Sequence, residues 1–173
     1  MLIDRDEFNA LFDSYKQSAW RWENQPAYTM SREQETLALF LAGEPMPEGF
    51  NSAWHKRVSN WVNSGKSIGR ARTVRRPLTD YQRYWLSWAG PTNTAAGEDI
   101  RVLDLDEHDL GMDLPEQDFW MFDESMVVYL NFRPDGTLIS FEQLEEPDLE
   151  YHLKLRDTAL AHAVPINEWN ART

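Results

Sequence analysis

The reading turns on Gly65-Lys66-Ser67-Ile68-Gly69-Arg70-Ala71-Arg72-Thr73-Val74-Arg75-Arg76-Pro77. Side chains alternate across a strand, so a strand over residues 68–76 has two unlike faces. Gly69, Ala71 and Thr73 are small and suit the close approach of a helix. Ile68, Arg70, Arg72, Val74 and Arg76 place three guanidinium groups on the other face. Such groups are not buried unpaired. They meet solvent, carboxylates of the same chain, or a bound anion, and arginine suits bidentate contact with either carboxylate or phosphate. Internal pairing is the simpler reading; an anion site is the sharper one.

Working outward, Pro77 ends the strand, and Thr79-Asp80-Tyr81-Gln82 is a capping box that opens a helix carrying Tyr81, Tyr84, Trp85 and Trp88. That helix is expected to fade at Gly90-Pro91. At helical spacing these aromatics read most simply as core, and stacking on bases, with Tyr81 or Trp85 against a nucleotide, is the alternative. Residues 99–105 (Asp99-Ile100-Arg101-Val102-Leu103-Asp104-Leu105) are apolar on both faces, as in a central strand. If this strand lies parallel to the first, the helix between them is a right-handed crossover. An acidic loop follows, without the Asp-x-Asp-x-Asp-Gly order of a calcium loop. Residues 119–122, 126–132 and 137–144 read as a meander, with Arg133-Pro134-Asp135-Gly136 as its turn, and a last helix spans about 148–163. The tail 165–173 is expected to be irregular.

Toward the N-terminus, Phe8, Leu11, Phe12, Tyr15, Ala19 and Trp22 recur at spacings of three and four, which predicts one helix over residues 4–23. Ser31 to Gln34 reads as a second capping box. Trp54, Val58, Trp61 and Val62 form the buried stripe of a third helix, which places His55 off that stripe. The expected fold is therefore α/β or α+β: a single domain over 1–173, with a helical part (1–64) packed on a mixed sheet of about five strands (65–164).

Composition narrows the function. With 42% hydrophobic residues and eight Trp in 173 residues, the chain can bury a real core. Cysteine is absent, so disulfides and thiolate metal sites are excluded. No secretory signal and no apolar run of roughly 18 residues is visible, so a cytoplasmic protein without a membrane span is expected. The net charge of −12 conceals a dipole. Residues 56–83 hold eight Lys/Arg against Asp80, giving +7, whereas residues 98–150 hold seventeen acids against Arg101 and Arg133, giving −15. The acidic total opposes adhesion to duplex nucleic acid.

Catalytic motifs do not stand out. The phosphate-loop, dinucleotide, nucleophile-elbow and zinc-protease patterns are missing. His55, His108, His152 and His162 lack ligand spacing, so neither a metal nor a cofactor is expected. His152-Leu153-Lys154 starts a phospholipase D signature, but Ala159 stands where its aspartate belongs. Asp118 and Asp123 flank Phe119-Trp120-Met121-Phe122 and are the one carboxylate pair placed for acid/base work.

Taken in order, Arg70-Ala71-Arg72-Thr73-Val74, Pro77-Leu78-Thr79-Asp80-Tyr81, Gly97-Glu98-Asp99-Ile100-Arg101 and Leu114-Pro115 followed by Asp118 to Asp123 resemble an actinobacterial family, the domain of unknown function 6879. The likeness spans nearly the whole chain. It implies an uncharacterised protein, often encoded beside helix-turn-helix regulators of the Xre type, and carries no activity with it. The order of elements also resembles half of a phospholipase D-like unit without its catalytic set. Three readings follow. The first is a non-enzymatic regulatory module acting through a protein partner such as that regulator. The second is a sensor of a nucleotide or other phosphorylated ligand. The third is a hydrolase using Asp118 or Asp123. Candidate ligand or partner contacts are Arg70, Arg72, Arg76, Tyr81, Trp85, Glu98, Asp118 and Asp123.

Overall fold

The computed structural model describes residues 1–172. An eight-stranded mixed sheet runs through it, in the order β1-β7-β6-β5-β2-β3-β4-β8. The strands are β1 (Leu2–Ile3), β2 (Ser18–Glu23), β3 (Ser67–Val74), β4 (Asp99–Asp104), β5 (Asp118–Phe122), β6 (Met126–Phe132), β7 (Leu138–Gln143) and β8 (Val164–Pro165). The α/β class stands. β3 and β4 are parallel, with Arg70 opposite Ile100 and Arg72 opposite Val102. β5, β6 and β7 form the antiparallel meander.

Three strands exceed the five expected, and β2 changes the architecture. It lies at the centre, parallel to β3 and antiparallel to β5. The helix expected over residues 4–23 ends early: α1 covers Arg5–Ser14, capped by Asp4 and Glu7 in a full capping box. Beyond Tyr15 the period becomes two. Trp20 and Trp22 face one side of the sheet, and Ala19 packs on the other. The three-and-four spacing of Ala19 and Trp22 continued the α1 stripe by coincidence, and sheet pairing overrode it. β1 and β8 are two-residue edge strands, too short to leave a periodic trace.

Four helices follow the expected positions with altered ends. A 3-10 turn at Ser31–Glu33 leads into α2 (Gln34–Leu41), and no side chain caps either start. α3 is Ser52–Asn63, entered through Asn51 at φ 55°. α4 (Asp80–Tyr84) has the Thr79/Gln82 capping box. Rather than fading at Gly90-Pro91, it passes through a π-helical turn (Trp85–Ala89) into α5 (Gly90–Ala96). Pro91 sits in the first turn of α5, where a missing N–H costs little. Gly90 packs against the Ile166 side chain; a built Cβ would lie 2.1 Å from Ile166 Cδ1. α6 (Leu149–His162) is capped by Asp148. The tail forms α7 (Ile166–Arg172), which buries Ile166 and Trp169.

Two cores result. On one face, α6 packs Leu155 and Ala159 onto Trp22, Ala71, Leu103 and Phe119. The small face of β3 thus receives a helix. On the other face, α1, α3, α4 and α7 contribute Phe12, Val58, Tyr84 and Ile166 to a larger aromatic cluster with Ile68, Val74 and Trp120. No helix among the described residues is long and apolar enough to cross a membrane.

Candidate functional site

The second face holds the charges. From β2 come Arg21 and Glu23, from β3 Arg70 and Arg72, and from β5 Asp118; Glu98 stands just before β4. Alternation puts all the strand residues on one side. Glu23 is the hub. Its carboxylate accepts from Arg70 at 2.6 Å and lies 3.4 Å from Arg21 and 3.7 Å from Arg72. Arg70 also donates to Glu98 at 2.8 Å. Asp118 accepts from Arg21 (2.7 Å), the Tyr28 hydroxyl (2.6 Å) and the Asn24 amide (2.8 Å). Arg72 is wholly buried, with the Tyr28 hydroxyl 3.3 Å away.

Three arginines and three carboxylates are therefore closed into one buried network. Burial opposes ionisation of Glu23, but Arg21, Arg70 and Arg72 outweigh it and push the carboxyl down to about 2. Burial likewise opposes the Arg21 charge, yet Glu23 and Asp118 hold it more firmly protonated than usual. Burial, with Asp118 and Glu23 beside it, raises the Tyr28 phenol well above its ordinary value.

Above this network opens a cleft of about 570 Å³. Arg21, Glu23 and Arg70 lie at its floor, among the rings of Tyr28, Trp85 and Trp120. The guanidinium carbon of Arg70 is 5.5 Å from the Trp85 ring centre and 5.8 Å from that of Trp120. Arg21 is 5.4 Å from the Tyr28 ring. Such contacts stabilise a desolvated cation and fix the rings. One wall comes from the 3-10 turn and α4. There Tyr81 donates to Glu33 at 2.6 Å, and burial raises the Glu33 carboxyl against the pull of that hydrogen bond. Another wall comes from α3 and α5, where the buried Asn93 accepts from Asn51 and pairs with His55 Nε2, both at 2.8 Å. His55 is thus half-buried and engaged, rather than an exposed helix histidine. Arg5, Arg32 and Glu48 line the cleft while remaining exposed, which puts them at its rim. Three buried donors on cleft-lining side chains have no acceptor among the described residues: Arg21 Nε, Arg70 Nε and Trp54 Nε1.

The structure sorts the eight candidates into three groups. Arg70, Tyr81 and Trp85 line the cleft. Arg72, Glu98 and Asp118 belong to the network beneath it. Arg76 and Asp123 lie elsewhere. β3 ends at Val74, so Arg76 leaves the shared face and pairs with Asp104 at 2.9 Å and Glu107 at 3.4 Å on the acidic side. Asp123 sits at φ 50° and takes the amides of Lys16, Gln17 and Ser18 at 2.7–3.0 Å, a cap for the entry into β2. Asp118 and Asp123 therefore do not converge on one site.

His152 is buried on the α6 face between the Tyr129 hydroxyl and the Asp148 carbonyl. Among the described residues no group of three or more His, Asp or Glu is placed to hold a metal ion. Arg21 and Glu23 escape a helical reading of residues 4–23, while Tyr28 and Glu33 lie in the irregular segment and the 3-10 turn beyond β2 and carry no periodic signal. The alternation Trp20-Arg21-Trp22-Glu23 was the signal that could have found the first two.

The family profile described as Domain of unknown function (DUF6879) matches residues 6–171. The chain belongs to that family. No curated protein matches it. The matched span takes in every strand of the network and every cleft-lining residue except Arg5.

Proposed function

We propose that this family member is a non-enzymatic sensor that binds a small organic ligand in the cleft between the sheet and α1–α5. The observation that carries this reading is the cleft itself: about 570 Å³, walled by aromatic rings over a floor of charges already paired with one another. That volume is typical of small-molecule sites, which combine apolar walls with a few fixed polar groups. A core alone would not need such a floor. Buried ion pairs seldom out-stabilise well-packed apolar side chains of the same size. The two carboxylates first considered for acid/base work are taken up elsewhere, Asp118 by Arg21 and Tyr28, Asp123 by three backbone amides. That favours binding over hydrolysis.

A thermal-shift screen of metabolite classes tests the reading. A ligand at 100 times its Kd stabilises the fold by about 2.7 kcal/mol, which raises Tm by about 5–10 °C in a chain of this size. A saturable shift that disappears in Trp54→Leu supports the cleft. A screen in which no class of compound shifts Tm counts against it.

On this reading the protein is a cytoplasmic regulatory module, and its ligand state is passed to a protein partner, a helix-turn-helix regulator of the Xre type being the proposed one. The observation favouring a partner is the surface beside the cleft. α2 buries none of its residues, and Leu41 and Met46 are exposed. Loss of co-purification with such a regulator in Leu41→Glu would support that step, and unchanged co-purification would argue against it.

A further inference from the structure

The cleft differs in charge from the molecule that carries it. Five arginines line it (Arg5, Arg21, Arg32, Arg57, Arg70) against three glutamates (Glu23, Glu33, Glu48), leaving +2 in a chain of −12. The surplus is not at the floor. Arg21 and Arg70 are committed to Glu23, Asp118 and Glu98. Arg57 reaches Asp13 at 3.2 Å. Arg5 and Arg32 are exposed at the rim, and neither has an ion pair within 4.0 Å among the described residues. Glu48 is the one exposed carboxylate lining the same rim.

The interior asks for something else. It offers aromatic faces at Trp85, Trp120 and Tyr28. A flat ring matches those faces. A bare anion does not, because the floor guanidinium groups are already neutralised. An anion placed against them would also face the Glu23 carboxylate, and like charges at close range are costly in a low dielectric.

We propose that the cleft takes an aromatic ring carrying one anionic group, with the ring inside and the anion at the mouth between Arg5 and Arg32. This rests on the ligand-binding reading of the same cleft and reverses the orientation suggested by the arginine-rich strand. A ring-borne phosphate, as in a nucleoside monophosphate, and a ring-borne carboxylate, as in an aryl carboxylic acid, share this chemistry.

The experiment uses matched pairs on the full chain: nucleosides against their monophosphates, neutral heteroaromatic amides against their carboxylic acids, and inorganic phosphate alone. Affinity is read by calorimetry at low and high salt. The expected result is that the anionic member of at least one pair binds about ten-fold tighter, the effect of 1.4 kcal/mol, with the advantage shrinking at high salt. The series that shows it identifies phosphate or carboxylate. In the double variant Arg5→Gln/Arg32→Gln the advantage should vanish, whereas Arg75→Gln, an exposed arginine outside the cleft paired with Asp106, should keep it. Both rim residues are exposed, and the single variants Arg5→Gln and Arg32→Gln serve if the double variant folds poorly. Equal binding within every pair overturns the inference and leaves the cleft reading intact. So does an advantage that survives both rim substitutions, or binding of phosphate alone as tight as that of the best compound. Failure of every compound removes the cleft reading and this inference together.

Discussion

On the α6 side of the sheet, Trp22, Ala71, Leu103 and Phe119 meet Leu155 and Ala159 in a nearly apolar layer. On the opposite side, alternate residues of the same strands present Arg21, Glu23, Arg70, Arg72 and Asp118, and above them the packing opens into a cleft. β2 and β3 serve both faces at once. A small residue such as Ala71 lets a helix settle close to the backbone. The arginines beside it hold the other layer at a distance and demand carboxylates. The difference separates two duties: one face supplies burial, and the other sacrifices some of it to keep a shaped and charged interior.

The contrast can be broken from either side. The largest loss is expected on the charged face. Glu23→Ala leaves Arg21, Arg70 and Arg72 facing one another with their hub removed, and breaking a buried pair costs about 3–5 kcal/mol. Urea unfolding should show that loss with little change in slope; a loss below about 1 kcal/mol would mean that water compensates the arginines. On the apolar face, Leu155→Ala removes a wholly buried side chain and should cost about 2–5 kcal/mol. It should leave ligand binding in the cleft unchanged, because Leu155 touches only the α6 layer. Altered binding would show that the two faces are mechanically coupled. Thr79→Ala, which removes a cap of α4 at the cleft wall, should cost about 1 kcal/mol.

Titration sharpens the comparison within the charged face. The Glu23 carboxyl sits at about 2 in the folded protein against an ordinary 4.5. The unfolded chain therefore takes the proton first as pH falls. The Glu23 contribution is complete above pH 4.5 and is lost as pH falls toward about 2. Glu33 runs the other way. Its folded value is raised by burial, so its contribution is present below its ordinary 4.5 and is lost as pH rises through the raised value. Glu33→Gln should accordingly gain a little stability over the native chain at pH 7 and none at pH 4, the smallest of these effects. A variant less stable at both pH values would show that the Tyr81 hydrogen bond needs the carboxyl group, whichever its charge.

Much of the sheet was legible because its strands announce themselves by alternation. The Arg70/Arg72 face of β3, the two-faced β4 and the meander with its Arg133-to-Gly136 turn read correctly, though Arg76 falls beyond the end of β3. So did the Thr79/Gln82 capping box. β2 did not, because Ala19 and Trp22 continue the spacing of Phe8, Leu11, Phe12 and Tyr15, and periodicity in so short a stretch fits both structures. With β2 went a third of the ionic network, since Arg21 and Glu23 acquire meaning only beside Arg70 and Asp118. Pro91 concealed the continuation into α5 because a π turn restarts the helix just ahead of it. The rim was invisible for a different reason. Arg5 and Arg32 lie far apart in sequence from each other and from Arg70, and only tertiary packing brings them to one opening.

The position of β2 also bears on how the protein comes to exist. A strand that precedes both of its partners along the chain becomes the seam between β3–β4 and the β5–β7 meander. During synthesis that strand waits while its partners emerge, β3 only after about residue 67 and β5 only after about residue 118. Until then neither half-sheet can close on the other, and each shows an unpaired edge. Assembly from such distant segments is slow and exposes the chain to mispairing. A tag, a truncation or a binding protein that holds residues 18–23 would thus act on birth of the fold more than on its upkeep, dividing one sheet into two that never meet.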